Sequence, residues 1–266
     1  MTTRARKRFG QNFLTDVHII ERIISTIDPV RDEPIIEIGP GRGAITAPLI
    51  AAGADLHVIE IDRDLAAVLP RTIPGLTSEK IHVTDALKAD IPDLLDELPE
   101  GGIRVVGNLP YNISTPLLAH LMGFTDSIRD MHFMLQSEVV ARMAAGPGSR
   151  TYGRLSIMCQ YHCSIAPLFT VPPEAFEPVP RVDSAFVRLV PHSKPPIEVP
   201  DHSLFQRVVT QAFSQRRKTL RNSMKKMMTS EQIEQAGIDP SLRPEVLSME
   251  DYASLTRVMA HYVHED

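Results

Sequence analysis

The four consecutive residues Asn108-Leu109-Pro110-Tyr111 carry the groups needed to hold an exocyclic amino group. They follow an apolar run at 103–107 that predicts a buried strand. The Asn108 side-chain oxygen and the Leu109 carbonyl can accept both N–H bonds of the amine, and the Tyr111 ring can stack on the base. The nitrogen lone pair then remains free to attack an electrophile. The tetrad therefore predicts alkylation of a base amino group, provided that the chain also holds an alkyl donor.

A glycine-rich loop after the first predicted strand, 34–39, is the candidate site for that donor. Gly39 and Gly41 let the backbone turn tightly and let a ligand approach the main chain. The string Gly39-x-Gly41-x-x-Ala44 also matches the relaxed dinucleotide fingerprint, so NAD is an alternative ligand. The tetrad favours S-adenosylmethionine, because methyl transfer to an amine needs an amine-holding site and hydride transfer does not.

Acidic side chains lie at the ends of the next two predicted strands, Glu60 in 55–62 and Asp85 in 80–85. Glu60 can accept hydrogen bonds from both hydroxyls of a ribose. Asp85 can accept one from an adenine amino group. Because the carboxyl ends of neighbouring parallel strands face one crevice, we expect both acids to converge with the glycine loop and Asn108.

Strand-like and helical patterns alternate through the first two thirds of the chain. The predicted strands there are 34–39, 55–62, 80–85, 103–107 and 131–136, and the helices are 44–52, 63–69, 87–98 and 115–122. An isoleucine-rich pattern adds a helix at 16–27 with Thr15 as its N-cap. Two more strands, 163–171 and 184–190, are predicted as an antiparallel hairpin at the sheet edge. The pattern indicates an α/β fold with a doubly wound, mostly parallel seven-stranded sheet.

The last part of the chain has a helical pattern. A proline-rich linker at 191–200 precedes an apolar stripe that begins at Leu204. Ser214 is the predicted start of a basic helix that runs to Met228. Two further helices follow, one within 230–237 and one capped by Ser248. Residues 201–266 are therefore predicted to form a small helical domain.

Composition excludes several classes of protein. The hydrophobic fraction of 43% and the charged fraction of 23% are ordinary for a globular chain. No apolar run is long enough to span a bilayer or to form a signal peptide, so we expect a cytoplasmic protein without a membrane partner. Cys159 and Cys163 are too few for a zinc site or a disulfide framework, so no metal is expected. Their spacing of four favours two small core residues on a helix.

Two purely basic blocks stand out against the net charge of −5. The block at 1–10 includes Arg6, Lys7 and Arg8, and the block at 214–226 includes Arg216, Arg217, Lys218 and Arg221. Such blocks in an acidic chain indicate local contacts to phosphates of RNA or DNA. A solvated helix face and a frayed terminus are the alternative interpretation.

Several motifs in a fixed order resemble the KsgA (RsmA) group of 16S ribosomal RNA adenine N6,N6-dimethyltransferases. They are Arg8-Phe9-Gly10-Gln11-Asn12-Phe13-Leu14, the 37–43 glycine loop, Val58-Ile59-Glu60-Ile61-Asp62, Asn108-Leu109-Pro110-Tyr111-Asn112-Ile113-Ser114, the 176–184 segment Phe-Glu-Pro-Val-Pro-Arg-Val-Asp-Ser, and the 211–218 segment Gln-Ala-Phe-Ser-Gln-Arg-Arg-Lys. Arg42 and Arg181 stand where that family varies.

The resemblance implies a Rossmann-like class I methyltransferase that uses S-adenosylmethionine. It implies cofactor contacts from Asn12, Leu14, Gly39, Glu60, Asp85 and Asn108, to which the loop geometry adds Gly41. The implied substrate is a pair of adjacent adenosines in a hairpin loop near the 3′ end of 16S ribosomal RNA, modified while the small subunit is assembled. The domains are then 1–195 for methyl transfer, with a basic strip at 1–15, and 201–266 for RNA or ribosome binding. A monomer is expected.

The second methyl transfer adds one more expectation. Monomethylated adenine keeps only one N–H, so stacking must hold the base. Tyr111 supplies one face, and Phe176, in a proline-stiffened loop, is predicted to supply the other. Core packing is the alternative role for Phe176.

Three other functions remain possible on the sequence. They are a 23S ribosomal RNA adenine methyltransferase of the antibiotic-resistance type, a non-catalytic RNA-binding or transcription-assisting relative, and an NAD-dependent oxidoreductase.

Overall fold

The computed structural model describes residues 11–215 and 217–263. They form two compact units. The first takes in the chain up to Val140 together with Ser164–Pro191, and the second takes in Ala141–Cys163 and the chain from His192 onward. Predictions for Arg6, Lys7, Arg8 and Arg216 therefore lie outside the described residues.

The first unit is built on a seven-stranded sheet with helices between its parallel strands. In chain order the strands are β1 (Phe13–Leu14), β2 (Pro34–Ile38), β3 (Asp55–Ile59), β4 (Ile81–His82), β5 (Ile103–Asn108), β6 (Ile128–Gln136), β7 (Cys163–Val171), β8 (Phe176–Glu177) and β9 (Ser184–Pro191). The helices are α1 (Val17–Ile27), α2 (Thr46–Ala51), α3 (Arg63–Thr72), α4 (Ser114–Leu121) and α5 (Ser137–Met143), the last of which spans the division between the units.

The order of strands in the large sheet is β4-β3-β2-β5-β6-β9-β7. The strands from β4 to β6 pair in parallel, and β9 runs antiparallel to β6. β1 and β8 form a separate antiparallel pair. The prediction of a mostly parallel sheet of seven strands is thus confirmed. Because β2 and β5 are buried on both faces of the sheet, their sequences are continuous apolar runs, and these runs allowed both strands to be predicted.

A buried ion network holds α1 against the amino end of the sheet. Arg104 of β5 donates to Asp130 of β6 at 2.8 Å, to Glu33 at 3.1 Å and to the last carbonyl of α1, that of Ile27, at 2.7 Å. Charges removed from water must be paired, and here each carboxylate has a cationic partner. The network fixes the C-terminal end of α1. The N-terminal end of α1 comes shortly after residues 11–14.

Gly107 of β5 leaves no room for a side chain, since a Cβ there would lie 2.6 Å from the Ile38 carbonyl oxygen of β2. That oxygen belongs to the sheet backbone and cannot rotate away. Gly107→Ala is therefore expected to lower the free energy of unfolding by about 1–3 kcal/mol, as measured by urea denaturation. Gly123→Ala is the control, because a Cβ at Gly123 meets nothing within 4 Å. Equal unfolding midpoints for the two variants would contradict this account.

Several predictions about local structure were wrong. The helix expected at 87–98 is a series of turns with one short 3-10 helix, Pro92–Leu94, because Pro92 cannot continue a helical hydrogen-bond ladder. The N-cap of α1 is Asp16, which accepts from the Ile19 amide at 3.1 Å, and not Thr15. Cys163 is buried as expected, but it begins β7 instead of lying on a helix with Cys159.

The second unit is helical. Its helices are α6 (Arg154–His162), α7 (His202–Ala212), α8 (Leu220–Met224), α9 (Ser230–Gln235) and α10 (Met249–Val263). The predicted basic helix from Ser214 to Met228 is thus much shorter. The Ser248 cap is confirmed, since its hydroxyl accepts from the Asp251 amide at 3.2 Å. None of the helices described is long and apolar enough to cross a membrane.

The second unit also contains a segment that the predicted boundary at 195–201 left in the first domain. Tyr152, Ile157 and Tyr161 are buried in one apolar cluster with residues of the later helices, including Phe205 and Tyr252. The packing of these side chains assigns residues 141–163 to the second unit.

Candidate active site

A cavity of about 240 Å³ lies at the carboxyl ends of β2, β3 and β5, within the first unit. Every residue predicted to hold the cofactor lines it: Asn12, Leu14, Gly39, Gly41, Glu60, Asp85 and Asn108. The other members of the tetrad, Leu109, Pro110 and Tyr111, line it as well. The strand order explains this convergence, because β3, β2 and β5 are neighbours in the sheet and end at one edge.

The glycine loop after β2 forms part of the cavity wall. Gly39 has φ = 71° and its amide donates to the Ile59 carbonyl at 2.9 Å. Gly41 has φ = 57°, and a Cβ there would lie 3.0 Å from the Phe13 ring. Both positions need glycine because L side chains rarely adopt positive φ. The close approach at Gly41 also shows that β1 packs directly on the loop.

Arg42 ties this loop to the strand pair β1–β8. Its Nη1 donates to Glu177 Oε2 at 2.8 Å, and its guanidinium lies 4.4 Å from the centre of the Phe13 ring. Contacts of this kind add modest stabilisation. They keep residues 11–14 against the cavity.

Two acids, one directly after β3 and one three residues after β4, are held by backbone amides. Glu60 is 4% exposed, and its Oε1 accepts from the Asp62 amide at 2.8 Å. Burial raises the pKa of Glu60, while its backbone hydrogen bonds act in the opposite direction. Asp85 Oδ1 accepts from the Leu87 amide at 3.0 Å. Each carboxylate keeps further acceptor capacity for hydroxyl or amino groups of a ligand.

Glu37 is a cavity residue that sequence reasoning missed. It is 2% exposed, and Thr46 Oγ1 donates to its Oε2 at 2.6 Å. Burial raises the pKa of Glu37 to about 7. Its position as the one acid in an otherwise apolar strand was the available signal, because such a residue needs a partner or a function.

The geometry of Asn108 fixes which end of its amide is the acceptor. Nδ2 donates to the Asn12 carbonyl at 2.9 Å, which directs Oδ1 away from that bond. Leu109 is anchored by its amide, which donates to the Met134 carbonyl at 3.2 Å. Within the described chain, neither Asn108 Oδ1 nor the Leu109 carbonyl accepts a hydrogen bond. The tetrad thus presents two acceptors that could take both N–H bonds of an amine.

Tyr111 is fixed at both ends. Its carbonyl accepts from Ser114 Oγ at 3.0 Å, and its phenol oxygen lies 2.7 Å from Ser184 Oγ. Burial raises the pKa of Tyr111, so the phenol is neutral near pH 7. A ring held in this way can serve as one stacking surface.

Phe176 is not at the cavity, contrary to the prediction that it forms the second stacking surface. Its side chain is 2% exposed and belongs to the core cluster that includes Leu14 and Phe186. The β1–β8 pairing places Phe176 opposite Leu14. This pairing turns a large apolar ring into the core, and the sequence alone could not specify it.

The predicted RNA-binding residues that the structure describes are exposed. Arg217, Lys218 and Arg221 lie in the second unit, between α7 and the first turn of α8, and none of the three forms a salt bridge within the described residues. They are thus accessible to a polyanion. Across residues 11–215 and 217–263, no group of His, Cys, Asp and Glu side chains is arranged to hold a metal ion.

Comparison with known proteins gives a consistent result. The family model described as ribosomal RNA adenine dimethylase matches residues 2–261. Ribosomal RNA small subunit methyltransferase A of Pseudomonas putida is 54% identical over 257 residues, which is 97% of this chain and 96% of the relative. The protein of the same name from Yersinia pestis is 54% identical over 94% of this chain and 92% of its own.

Solved structures agree. The 23S rRNA methyltransferase ErmE is 25% identical and superposes with a TM-score of 0.68, covering 94% of this chain and all of its own (100%). A dimethyladenosine transferase from Plasmodium falciparum has a TM-score of 0.71 at 23% identity, covering 91% of this chain and 95% of its own, which supports the fold.

These matches decide among the functions that the sequence left open. They name methyltransferases, which overturns the NAD-dependent oxidoreductase. The relatives at 54% identity are named for the small subunit, whereas the structure named for 23S RNA is 25% identical. The chain belongs to the ribosomal RNA adenine dimethylase family.

Proposed function

We propose that this protein dimethylates N6 of two adjacent adenosines in a 3′-terminal hairpin loop of small-subunit (16S) ribosomal RNA during subunit assembly. The observation that carries the proposal is the pair of acceptors, Asn108 Oδ1 and the Leu109 carbonyl, beside the Glu60 and Asp85 carboxylates in one cavity. The protein acts on the RNA within the small subunit or its precursor, in the cytoplasm and as a monomer.

The cavity fits the nucleoside part of S-adenosylmethionine, the methyl donor of this family. Glu60 would accept from the ribose hydroxyls and Asp85 from the adenine amino group, with Asn12, Leu14 and the glycine loop enclosing the rest. When bound, the cofactor supplies a methyl carbon that is electrophilic because it is attached to a positively charged sulfur. The fit rests on acids that are held in place by backbone amides and that keep acceptor capacity.

The tetrad would make adenine N6 a better nucleophile by orienting it. The lone pair of N6 is delocalised into the ring, which makes the free amine a poor nucleophile. When Asn108 and Leu109 accept both N–H bonds, a pyramidal nitrogen directed at the methyl carbon is favoured. Orientation of reacting groups can lower a barrier by several kcal/mol, with about 7–11 kcal/mol as the upper range. No strong base is needed, because the product ammonium is acidic and loses its proton to water.

The substrate adenosine must be unstacked to enter the cavity. An adenosine in a hairpin loop costs less free energy to extrude than a paired one. Tyr111 supplies a stacking surface for the extruded base at the cavity wall. Phe176 would have to leave the core to supply a second one.

The exposed cations of the second unit are proposed to contact RNA phosphates. The triple variant Arg217→Ala/Lys218→Ala/Arg221→Ala is expected to bind small-subunit particles more weakly. The logarithmic salt slope should fall by about 2, since each phosphate contact contributes about 0.7–0.9. Filter binding at several salt concentrations measures both quantities.

The control removes the same charge from other exposed positions of the second unit, Arg150, Arg243 and Arg257. The three residues between α7 and α8 would have no specific role if both triple variants had the same salt slope.

The proposed function is tested by supplying labelled S-adenosylmethionine with small subunits that lack the modification. We expect two labelled methyl groups on each of two adjacent adenosines near the 3′ end of 16S ribosomal RNA, mapped by mass spectrometry of nuclease fragments. Mature small subunits and isolated large subunits are the controls. Label in 23S ribosomal RNA, or no label in any RNA, would refute the proposal.

A further inference from the structure

We propose that Ser184 is a positioning residue for the second methyl transfer, because its hydroxyl holds the Tyr111 ring in the place where N6-methyladenine is retained. The inference rests on the proposed function and assigns a role to a side chain outside the cavity wall.

The contact joins two parts of the first unit that are distant in sequence. The oxygens of Tyr111 and Ser184 are 2.7 Å apart, although the residues are separated by 73 positions. Ser184 is 0% exposed and is the first residue of β9, where it pairs with Gln136 of β6. The preceding Asp183 carbonyl accepts from the Ser137 amide at 3.0 Å. The Ser184 hydroxyl is therefore mounted on a rigid part of the sheet.

Tyr111, by contrast, lies in the connection between β5 and α4, which is not part of the sheet. The Ser114 hydroxyl holds its main chain, and the Ser184 hydroxyl holds the far end of its ring. A phenol is already protonated at neutral pH and burial raises the pKa of Tyr111 further, so this pair is a hydrogen bond between neutral groups. Without Ser184, the ring would keep its backbone anchor but lose the contact that sets its tilt.

The second methyl transfer depends on the tilt of the Tyr111 ring more than the first methyl transfer does. Unmodified adenine offers two N–H bonds, and Asn108 Oδ1 can accept one while the Leu109 carbonyl accepts the other. N6-methyladenine offers one, so the contact with the ring must supply a larger share of the orientation. In the second transfer the N6 lone pair forms the new N–C bond. The carbon–sulfur bond breaks with its electrons on sulfur, and the remaining N6 proton passes to water.

The test compares Ser184→Ala, Tyr111→Phe and the double variant with the native protein in single-turnover time courses on under-methylated small subunits. N6-methyladenosine and N6,N6-dimethyladenosine are quantified by mass spectrometry. A neutral hydrogen bond corresponds to about a 3–10-fold change in rate, and we expect that loss in the second step with less than about a twofold loss in the first. The monomethyl product should therefore accumulate in all three variants.

The double variant should resemble the single ones, because both remove the same contact. Ser156→Ala is the matched control, since Ser156 is also 0% exposed and its hydroxyl donates to the Arg142 carbonyl in the second unit. It should leave the product ratio unchanged. Tyr111→Phe keeps the ring and carries the test if Ser184→Ala does not fold.

An unchanged ratio of monomethyl to dimethyl product in Tyr111→Phe overturns the inference, as does equal slowing of both steps or an additive double variant. These outcomes leave the proposed function standing. Failure of the native protein to form dimethyladenosine overturns the proposed function itself.

Discussion

Asn108→Ala is expected to lower the rate of methyl transfer to small-subunit RNA by about 10²–10³-fold, while the affinity for S-adenosylmethionine falls by less than about tenfold. The variant removes one of two acceptors that orient N6, and losses of this size are typical when one preorganised hydrogen-bonding group is deleted. Cofactor affinity depends on several other cavity groups, including Glu60 and Asp85. Single-turnover rates and calorimetric titration of the cofactor measure the two effects separately.

Asn222→Ala is the control for this experiment, because it removes the same amide from an exposed position of α8. It should leave both quantities near the native values. A transfer rate for Asn108→Ala within about twofold of the native rate would show that the amide does not orient the nucleophile.

Glu60→Ala is expected to weaken S-adenosylmethionine binding by about 10²-fold. Two hydrogen bonds from the ribose to a charged acceptor are lost, and each such bond is worth about 1.5–3 kcal/mol before partial compensation by water. The side chain is 4% exposed, so solvent replaces it poorly. Glu60→Gln keeps one acceptor oxygen and should lose about tenfold.

Calorimetric titration gives the affinities, and circular dichroism verifies folding, since Glu60 also accepts from the Asp62 amide. The exposed Glu79 provides the control Glu79→Ala. Unchanged affinity in folded Glu60→Ala would place the ribose elsewhere in the cavity.

The parts of the site that could be predicted from sequence are those fixed by the ends of strands. Glu60, Asp85 and Asn108 follow apolar runs, and the parallel sheet brings the ends of such runs to one edge. Gly39 and Gly41 were predicted at the same edge of the sheet because they follow the end of β2. Asn12 and Leu14 were assigned by resemblance alone, and the structure brings them to the same cavity through β1.

The parts that could not be predicted depend on contacts between distant segments. The pairing of β1 with β8 turns Phe176 into the core, and no local pattern encodes that pairing. The hydrogen bond between the Tyr111 and Ser184 hydroxyls joins a loop to a strand that begins far along the chain. Residues 141–163 join the helical unit through contacts with distant residues, including the packing of Tyr152, Ile157 and Tyr161.

The central claim is that Asn108 Oδ1 and the Leu109 carbonyl hold an adenine amino group toward the methyl donor. The most direct test is a crystal structure of the protein with S-adenosylhomocysteine and an adenosine-containing RNA hairpin. We predict N6 within about 2.7–3.2 Å of both acceptors, with Tyr111 stacked on the base and the sulfur of the cofactor product on the open side of N6. An adenine bound away from residues 108–111, with both acceptors facing water or protein, would contradict the account.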